Sequence, residues 1–412
     1  MFIYYSSVLI CFIATFFKDK KIKLFILVGL MIFLCAGYMC GTDWRSYEFA
    51  YNHSSLSTVN QEIFEIGYSY LQAICHTLGI NFWIFHIALK SIVFFSLCYF
   101  VKVFKQNLFL FWFLFLPDMG FYLFIDCPFR NLLAAGGFFL AINLFLKRKF
   151  IIFFFITILL AQVHSSAYFL IIIYLFSNLR AKNRYIILFF ILSNILAYRL
   201  DLITDYILFP LLGIDGYLGE RVRTYFIQDE VWNSSVNLGT IYRIICFIIV
   251  LYNRKQIESS SVYGRYIFNL AILFFMIYPF GMSMKMIQRF LFYTMPFFIV
   301  SIEIIFHDIK LLSMSLHKRL LFMIFFFWGM FVVYKNVTHD YRYIPYTNYF
   351  EYIGGHPSYY NPQIQISAES GTKRSIFRQK NKTKRSKKRL HTTLIKPEQK
   401  VNEDLCSGFI VS

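Results

Sequence analysis

The residues of this chain that could carry chemistry lie in short polar stretches between long apolar runs. The first is Gly41-Thr42-Asp43-Trp44-Arg45-Ser46-Tyr47, followed by Glu65-Ile66-Gly67-Tyr68. Asp43 and Tyr47 stand four apart and share a face if the segment is helical. Gly41 permits a sharp turn as a preceding helix ends. Asp43 and Glu65 are either ordinary polar residues of an outer loop or general bases. The second stretch is Asp126-Cys127-Pro128-Phe129-Arg130-Asn131, where Pro128 suits a helix start. A cation there opposes the helix dipole, so Arg130 needs an anionic partner. That partner is Asp126 beside a snorkelling side chain, or an anionic substrate. The third is His164-Ser165-Ser166-Ala167. Its histidine is a hydrogen-bonded helix end or a general base. The fourth comprises Glu220-Arg221-Val222-Arg223, and Lys285 with Gln288, Arg289 and Tyr293. The planar fork of arginine binds two oxygens at once, which suits a diphosphate. Arg221 and Arg223 are equally explained by loop solubility. Arg289 is not, because it enters an apolar run.

These stretches need elements to hold them, and composition says what kind. Of 412 residues, 58% are hydrophobic and 15% charged, with 52 Phe and 30 Tyr. A soluble domain carries about 25% charge. This chain could not cover itself in water, so its solvent is largely lipid, where helices satisfy their own backbone. Apolar runs extend from Phe2–Phe17 and Ile22–Met39, through Phe82–Val101, Leu108–Ile125 and Asn131–Leu146, to Phe290–Phe306 and Leu320–Tyr334. The reading is an all-α, polytopic integral membrane protein of about twelve spans. Several runs fall short of the ~20 residues of a straight span, so some helices must tilt or borrow polar ends.

Lys and Arg are heaviest in alternate loops, as at Lys18–Lys23, Lys147–Lys149 and Arg254-Lys255. The positive-inside rule places these in the cytoplasm. The two longer loops, Gly41–Asn81 and Arg199–Asn237, then face outward, on the same side as every candidate residue above. Residues 1–340 form the transmembrane domain. Residues 341–412 form a polar, basic tail whose stretch Lys373–Arg389 reads as disordered, either solvated or attracted to anionic headgroups. Twelve spans put that basic tail outside, against the rule. The net charge of +19 is loop and tail charge, not a nucleic-acid surface. The eight Cys are scattered without a C-x-x-C and read as small apolar residues, not as disulfides or metal ligands. The first run lacks a basic n-region and a cleavage pattern, so it reads as a span, not a signal peptide. No G-x-x-x-x-G-K-[ST], G-x-G-x-x-G or H-E-x-x-H occurs, so neither an ATP-driven pump nor a zinc protease of that type is supported.

The stretches occur in a telling order. G-x-D-x-x-x-Y (Gly41, Asp43, Tyr47) precedes E-x-G-Y (Glu65, Gly67, Tyr68) and R-x-x-L-A (Arg130, Leu133, Ala134). Then come H-x-S-A (His164, Ser166, Ala167), R-F-x-x-Y (Arg289, Phe290, Tyr293) and a closing Pro345-Tyr346. In this order, over roughly residues 25–350, the chain resembles the EpsG family, a branch of the Wzy-like bacterial polysaccharide polymerases. Asn131 departs from the pattern, where Gln is more usual. The resemblance implies polymerisation of oligosaccharide repeat units carried on undecaprenyl diphosphate, at the outer face of the inner membrane. It implies catalysis by Arg130, His164, Asp43 and Glu65, with the choice of base open. Substrate would be bound by Arg289, Arg221, Arg223, Tyr47 and Tyr293. It implies no metal and no cofactor. The lipid-linked oligosaccharide, the bilayer, a chain-length regulator and a flippase would be partners. A flippase for lipid-linked sugars, or another membrane glycosyltransferase, is the alternative. A transporter would need polar groups near the midplane of its spans.

Overall fold

The architecture comes from a computed structural model, in which the described residues are 1–57, 59, 64–199, 237–306, 316–337, 340 and 342–356. Arg221, Arg223 and the stretch Lys373–Arg389 lie outside them. The described elements are helices, and their order follows the apolar runs. They begin with α1 (Phe2–Ala14), α2 (Lys20–Cys35), α3 (Trp44–His53), α4 (Ile66–Thr77), α5 (Phe82–Val103) and α6 (Leu108–Phe115). Two π-helical turns, Leu116–Gly120 and Tyr122–Asp126, extend α6. There follow α7 (Phe129–Leu140), α8 (Ile142–Leu146), α9 (Phe150–Ala161), a 3-10 turn (Ser165–Tyr168), α10 (Phe169–Phe176) and α11 (Asn183–Tyr198). The last are α12 (Leu238–Tyr252), α13 (Arg254–Ser259), α14 (Gly264–Ser283), α15 (Lys285–Gln288), α16 (Leu291–Ile305), α17 (Leu316–Val337) and α18 (Tyr349–Ile353).

Short polar residues mark the helix starts. Asp19 accepts from Lys21 N at 2.7 Å, Asn81 from Trp83 N at 2.8 Å and Asn107 from Phe109 N at 3.1 Å. Each satisfies an amide that the helix itself cannot, which matters more where water is absent. Among the described residues, three helices are long and apolar enough to cross a membrane: Phe82–Val103, Gly264–Ser283 and Lys318–Val337. Eight shorter apolar helices accompany them. The outward faces are as apolar as the core. Phe25, Ile151, Phe155, Leu159 and Leu188 are all exposed, an arrangement stable only against lipid. Among the described residues the protein is all-helical, and its apolar helices are those of a membrane protein by length and composition.

One expected loop is not a loop. Gly41–Asn81 contains α3 and α4, and α3 buries Trp44, Tyr47 and Tyr51 at helical spacing. The stretch placed in the tail from residue 341 also begins inside the fold. Tyr38 N donates to Thr347 O and Tyr349 N to Ala36 O, both at 2.8 Å, around an antiparallel bridge between Gly37 and Asn348. Tyr346 Oη donates to Phe33 O at 2.6 Å, and Tyr4 Oη to Tyr343 O at 2.7 Å. One bond satisfies a carbonyl near the end of α2 and the other lets Tyr4 of α1 reach the segment after α17, a demand that composition alone does not reveal.

One charge pair lies in the interior. Arg243 Nη1 donates to Asp118 Oδ2 at 2.9 Å, and Trp328 Nε1 to Asp118 Oδ1 at 3.3 Å. The guanidinium lies over the rings of Tyr242, Tyr278, Phe274 and Phe298. Removing one partner strands a buried charge, at about 3–5 kcal/mol. We expect Asp118→Ala to lower the thermal unfolding temperature of the detergent-solubilised protein. Asp118→Leu combined with Arg243→Met should recover most of the loss. Unfolding of the single variant at the wild-type temperature would refute the pair's structural weight.

Candidate functional site

Past α2 the chain turns at Gly41, whose φ is +80°. A Cβ there would stand 2.6 Å from Asp126 O, so only glycine can approach so closely. The contact presses Thr42 onto the second π turn, and Thr42 N donates to Asp126 Oδ1 at 3.2 Å. Arg342 Nη1 donates to Asp126 Oδ2 at 2.8 Å, and Arg342 Nε to Asp340 Oδ2 at 2.8 Å. Asp126 is thus fully engaged in tying three parts of the chain together. Asp43, one residue on from Thr42, is different. It stands at the start of α3, partly open to solvent, and Thr42 Oγ1 donates to it at 3.2 Å. Enclosure by the surrounding protein raises its carboxyl, and Thr42, Arg289, Arg130 and Lys285 pull it down without cancelling that effect.

Arg130 sits in the first turn of α7 and pairs through Nη1 with Glu65. Its Nε donates to Tyr47 Oη at 3.5 Å, and its guanidinium lies 4.4 Å from the centre of the Phe64 ring. Glu65 also accepts from Ser165 N at 3.1 Å. Burial alone would raise the Glu65 carboxyl, but Arg130 and that amide hold it below the usual range. The E-x-G-Y spacing now has a reason. A Cβ on Gly67 would stand 2.6 Å from Gln162 Cβ, and Tyr68 N donates to Gln162 O at 3.1 Å. Glycine lets α4 start against the end of α9, which brings Glu65 to Arg130.

His164 precedes the 3-10 turn. Its Nδ1 accepts from Ser166 N at 3.0 Å. An amide is a fixed donor, so this bond places the proton of the neutral ring on Nε2. Nε2 lies 3.5 Å from Arg289 Nη1. Burial, with Arg289 and Arg130 against the opposing pull of Glu65, lowers His164 to about 4, so the ring is neutral at pH 7. Ser166 Oγ donates to Asn131 Oδ1 at 2.8 Å and lies 2.9 Å from Tyr293 Oη. Asn131 Nδ2 reaches Arg289 O at 3.4 Å. Asn131, Ser166 and Tyr293 therefore form a buried support beneath His164 and Arg289. Among the described residues, no carboxylate forms an ion pair with Arg289. Nearby, a cleft of about 880 Å³ runs between α11, α12 and α14, lined by Ile191, Ile195 and Phe275, and opens on Lys285 and Gln288.

The sequence model of the EpsG family matches residues 22–348. The chain belongs to the EpsG family. No curated protein matches it, and no solved structure does. The EpsG match runs from the start of α2 to the threshold of α18, so it contains every clustered residue named above.

The fold brings together Asp43, Tyr47, Glu65, Arg130, His164, Arg289 and Tyr293, although up to 250 positions separate them. Two of them are buried. Tyr293 is wholly buried and Tyr47 nearly so, and their hydroxyls meet Ser166 and Arg130. Both hydroxyls are engaged within the protein, beside the candidate site. The carboxylate on Arg130 is Glu65, not Asp126, which Arg342 occupies. Arg342, Asp340, Thr42 and Asn131 were not singled out as site residues. The charge pair Asp340-Tyr341-Arg342 just before Pro345 was the available signal. Among the described residues, no group of three His, Cys, Asp or Glu side chains is placed to hold a metal ion.

The depressed His164 has a consequence for stability. The unfolded ring binds its proton near pH 6.5 and the folded ring only near 4. Between those values the unfolded state holds more protons, so stability falls as pH falls, by up to about 3 kcal/mol. Glu65 loses its contribution lower still, as pH falls from the ordinary carboxylate range through its lowered folded value. Thermal unfolding measured between pH 7 and 4 should fall more steeply for the wild type than for His164→Gln. Parallel curves would remove the argument for a neutral, buried His164.

Proposed function

We propose that this EpsG-family protein joins oligosaccharide units carried on undecaprenyl diphosphate, at the outer face of a bacterial inner membrane. The observation that carries the reading is the unequal pairing of the charges. Glu65 holds Arg130 and Asp126 holds Arg342, whereas Arg289 stands beside a neutral His164 without a described carboxylate. A polar site at one end of an apolar bundle suits a substrate whose lipid lies in the membrane and whose sugars lie outside. Twelve alternating crossings, with the site at their outer ends, complete the proposed topology.

In this mechanism a hydroxyl of the acceptor unit attacks the anomeric carbon of the donor chain. The new bond forms from that carbon to the acceptor oxygen. The bond from the carbon to the diphosphate oxygen breaks, and its electron pair leaves on the lipid diphosphate. Arg289 and the Nε2–H of His164 meet that developing charge, with Arg130 behind them. Asp43 takes the acceptor proton. Its carboxyl is raised and has no ion pair among the described residues, whereas Glu65 is lowered and occupied. His164 serves better as a donor than as a base, because its Nδ1 is already accepting. The apolar cleft between α11, α12 and α14 takes the prenyl chain next to Lys285. A flippase that delivers the units and a regulator of chain length are the partners proposed with it.

The Arg243–Asp118 pair supports a second reading, since charges at membrane depth are expected of a transporter. Surface polysaccharide from a deletion strain complemented with variants separates the two. Arg289→Ala should cut polymerisation about 10²–10³-fold, the effect of losing one donor to a developing oxyanion. Arg289→Lys should recover part of it, because charge remains and the fork is lost. Asp43→Asn should cost about 10²–10⁴-fold, against a smaller effect of Glu65→Gln. In each case single surface units should persist while the long-chain ladder shortens or vanishes in proportion to that loss, at normal membrane levels of the protein. A wild-type ladder from Arg289→Ala would end the proposal. Loss of the single units as well would favour the transporter.

A further inference from the structure

A separate cavity, of about 660 Å³ and lined in part by charged side chains, lies at the opposite end of α16 from Arg289. Fourteen residues of chain, mostly helical, separate Arg289 from Glu303, about 21 Å at 1.5 Å per residue. Glu303 lines this cavity, is 2% exposed, and neither of its carboxylate oxygens has a hydrogen-bond partner. A carboxyl group buried without a partner is costly, and natural structures rarely leave one. Around the same cavity stand Lys20 and Lys23 from the start of α2 and Lys105 from the turn after α5. None of the three makes an ion pair among the described residues. Leu24 and Leu27 continue the wall along α2.

We propose that this cavity binds a phosphoethanolamine group. The two kinds of unmet demand on its walls are complementary to the two ends of that group. Lysine ammonium groups are point charges suited to a phosphate. A buried carboxyl without a donor suits a primary ammonium, which brings three N–H bonds. A simple phosphate satisfies the lysines and leaves Glu303 unmet. A simple amine does the reverse. Lipid is the better source, because the leucines beside Lys20 and Lys23 offer an apolar path for an acyl chain. The binding is independent of the reaction proposed for the Arg289 end.

The test uses the full-length protein in nanodiscs of phosphatidylethanolamine, phosphatidylglycerol and phosphatidylcholine in equal parts. Lipid retained after extraction into detergent is counted by mass spectrometry. Wild type should retain phosphatidylethanolamine about tenfold over phosphatidylglycerol, the weight of one charge-assisted hydrogen-bond set. Glu303→Gln should abolish that preference and leave phosphate-dependent retention. Lys20→Ala with Lys23→Ala should weaken retention of all three lipids. Lys105→Ala, at the exposed rim, keeps the test open if Glu303→Gln does not fold, and should weaken retention in the same way. Added free phosphoethanolamine that displaces the lipid would support the headgroup chemistry and assign it to a soluble ester. Failure to displace it would support a lipid-borne group. Equal retention of phosphatidylethanolamine and phosphatidylglycerol by wild type, or an unchanged preference in Glu303→Gln, would overturn the proposal.

Discussion

In a bilayer a charged side chain has no water to turn to, so each must find a partner within the protein or move to an end. That constraint organises this molecule. The Arg243–Asp118 pair survives in the interior because an ion pair, an indole N–H and four aromatic rings enclose it. Arg130 survives at the start of α7, against the helix dipole, because Glu65 meets it there. Arg342 survives beside Asp126 and Asp340, and in doing so holds the segment after α17 against the turn at Gly41.

The same constraint separates structural charges from available ones. A carboxylate already holding a guanidinium has little left to give a substrate. By that measure Glu65 and Asp126 belong to the framework, while Asp43 and Arg289 are the groups whose demands are unmet. His164 lies between, neutral because burial and two guanidiniums outweigh Glu65. The buried support of Asn131, Ser166 and Tyr293 then acts as a rigid seat, in which a small displacement would be felt at both His164 and Arg289. Asn131, the departure from the family pattern, sits at the centre of that seat. Its short amide spans Ser166 and the Arg289 carbonyl.

The two π turns after α6 do related work. Pro117 lies in the first turn and the left-handed Cys127 ends the second, and they carry Asp118 and Asp126, the two acids that anchor Arg243 and Arg342. π turns widen the helix and shift the direction of each following side chain. Here the two turns point one acid into the interior and the other toward the Gly41 turn.

Much of this protein was legible before any fold was known. Apolar runs of span length or nearly so dictate helices in lipid, because no other local structure satisfies the backbone there. The polar stretches stood out for the same reason, and their types and order marked Asp43, Glu65, Arg130, His164 and Arg289. What sequence could not decide was pairing. Arg130 has Asp126 four positions away and Glu65 sixty-five away, and it takes the distant one, because Gly67 brings α4 against α9 while Arg342 claims Asp126. Tyr47 and Tyr293 looked available and are buried, since exposure depends on neighbours from other helices. Local sequence determined that these charges exist at helix ends. Only the tertiary structure decided which of them neutralise one another, because that depends on distances between segments far apart along the chain.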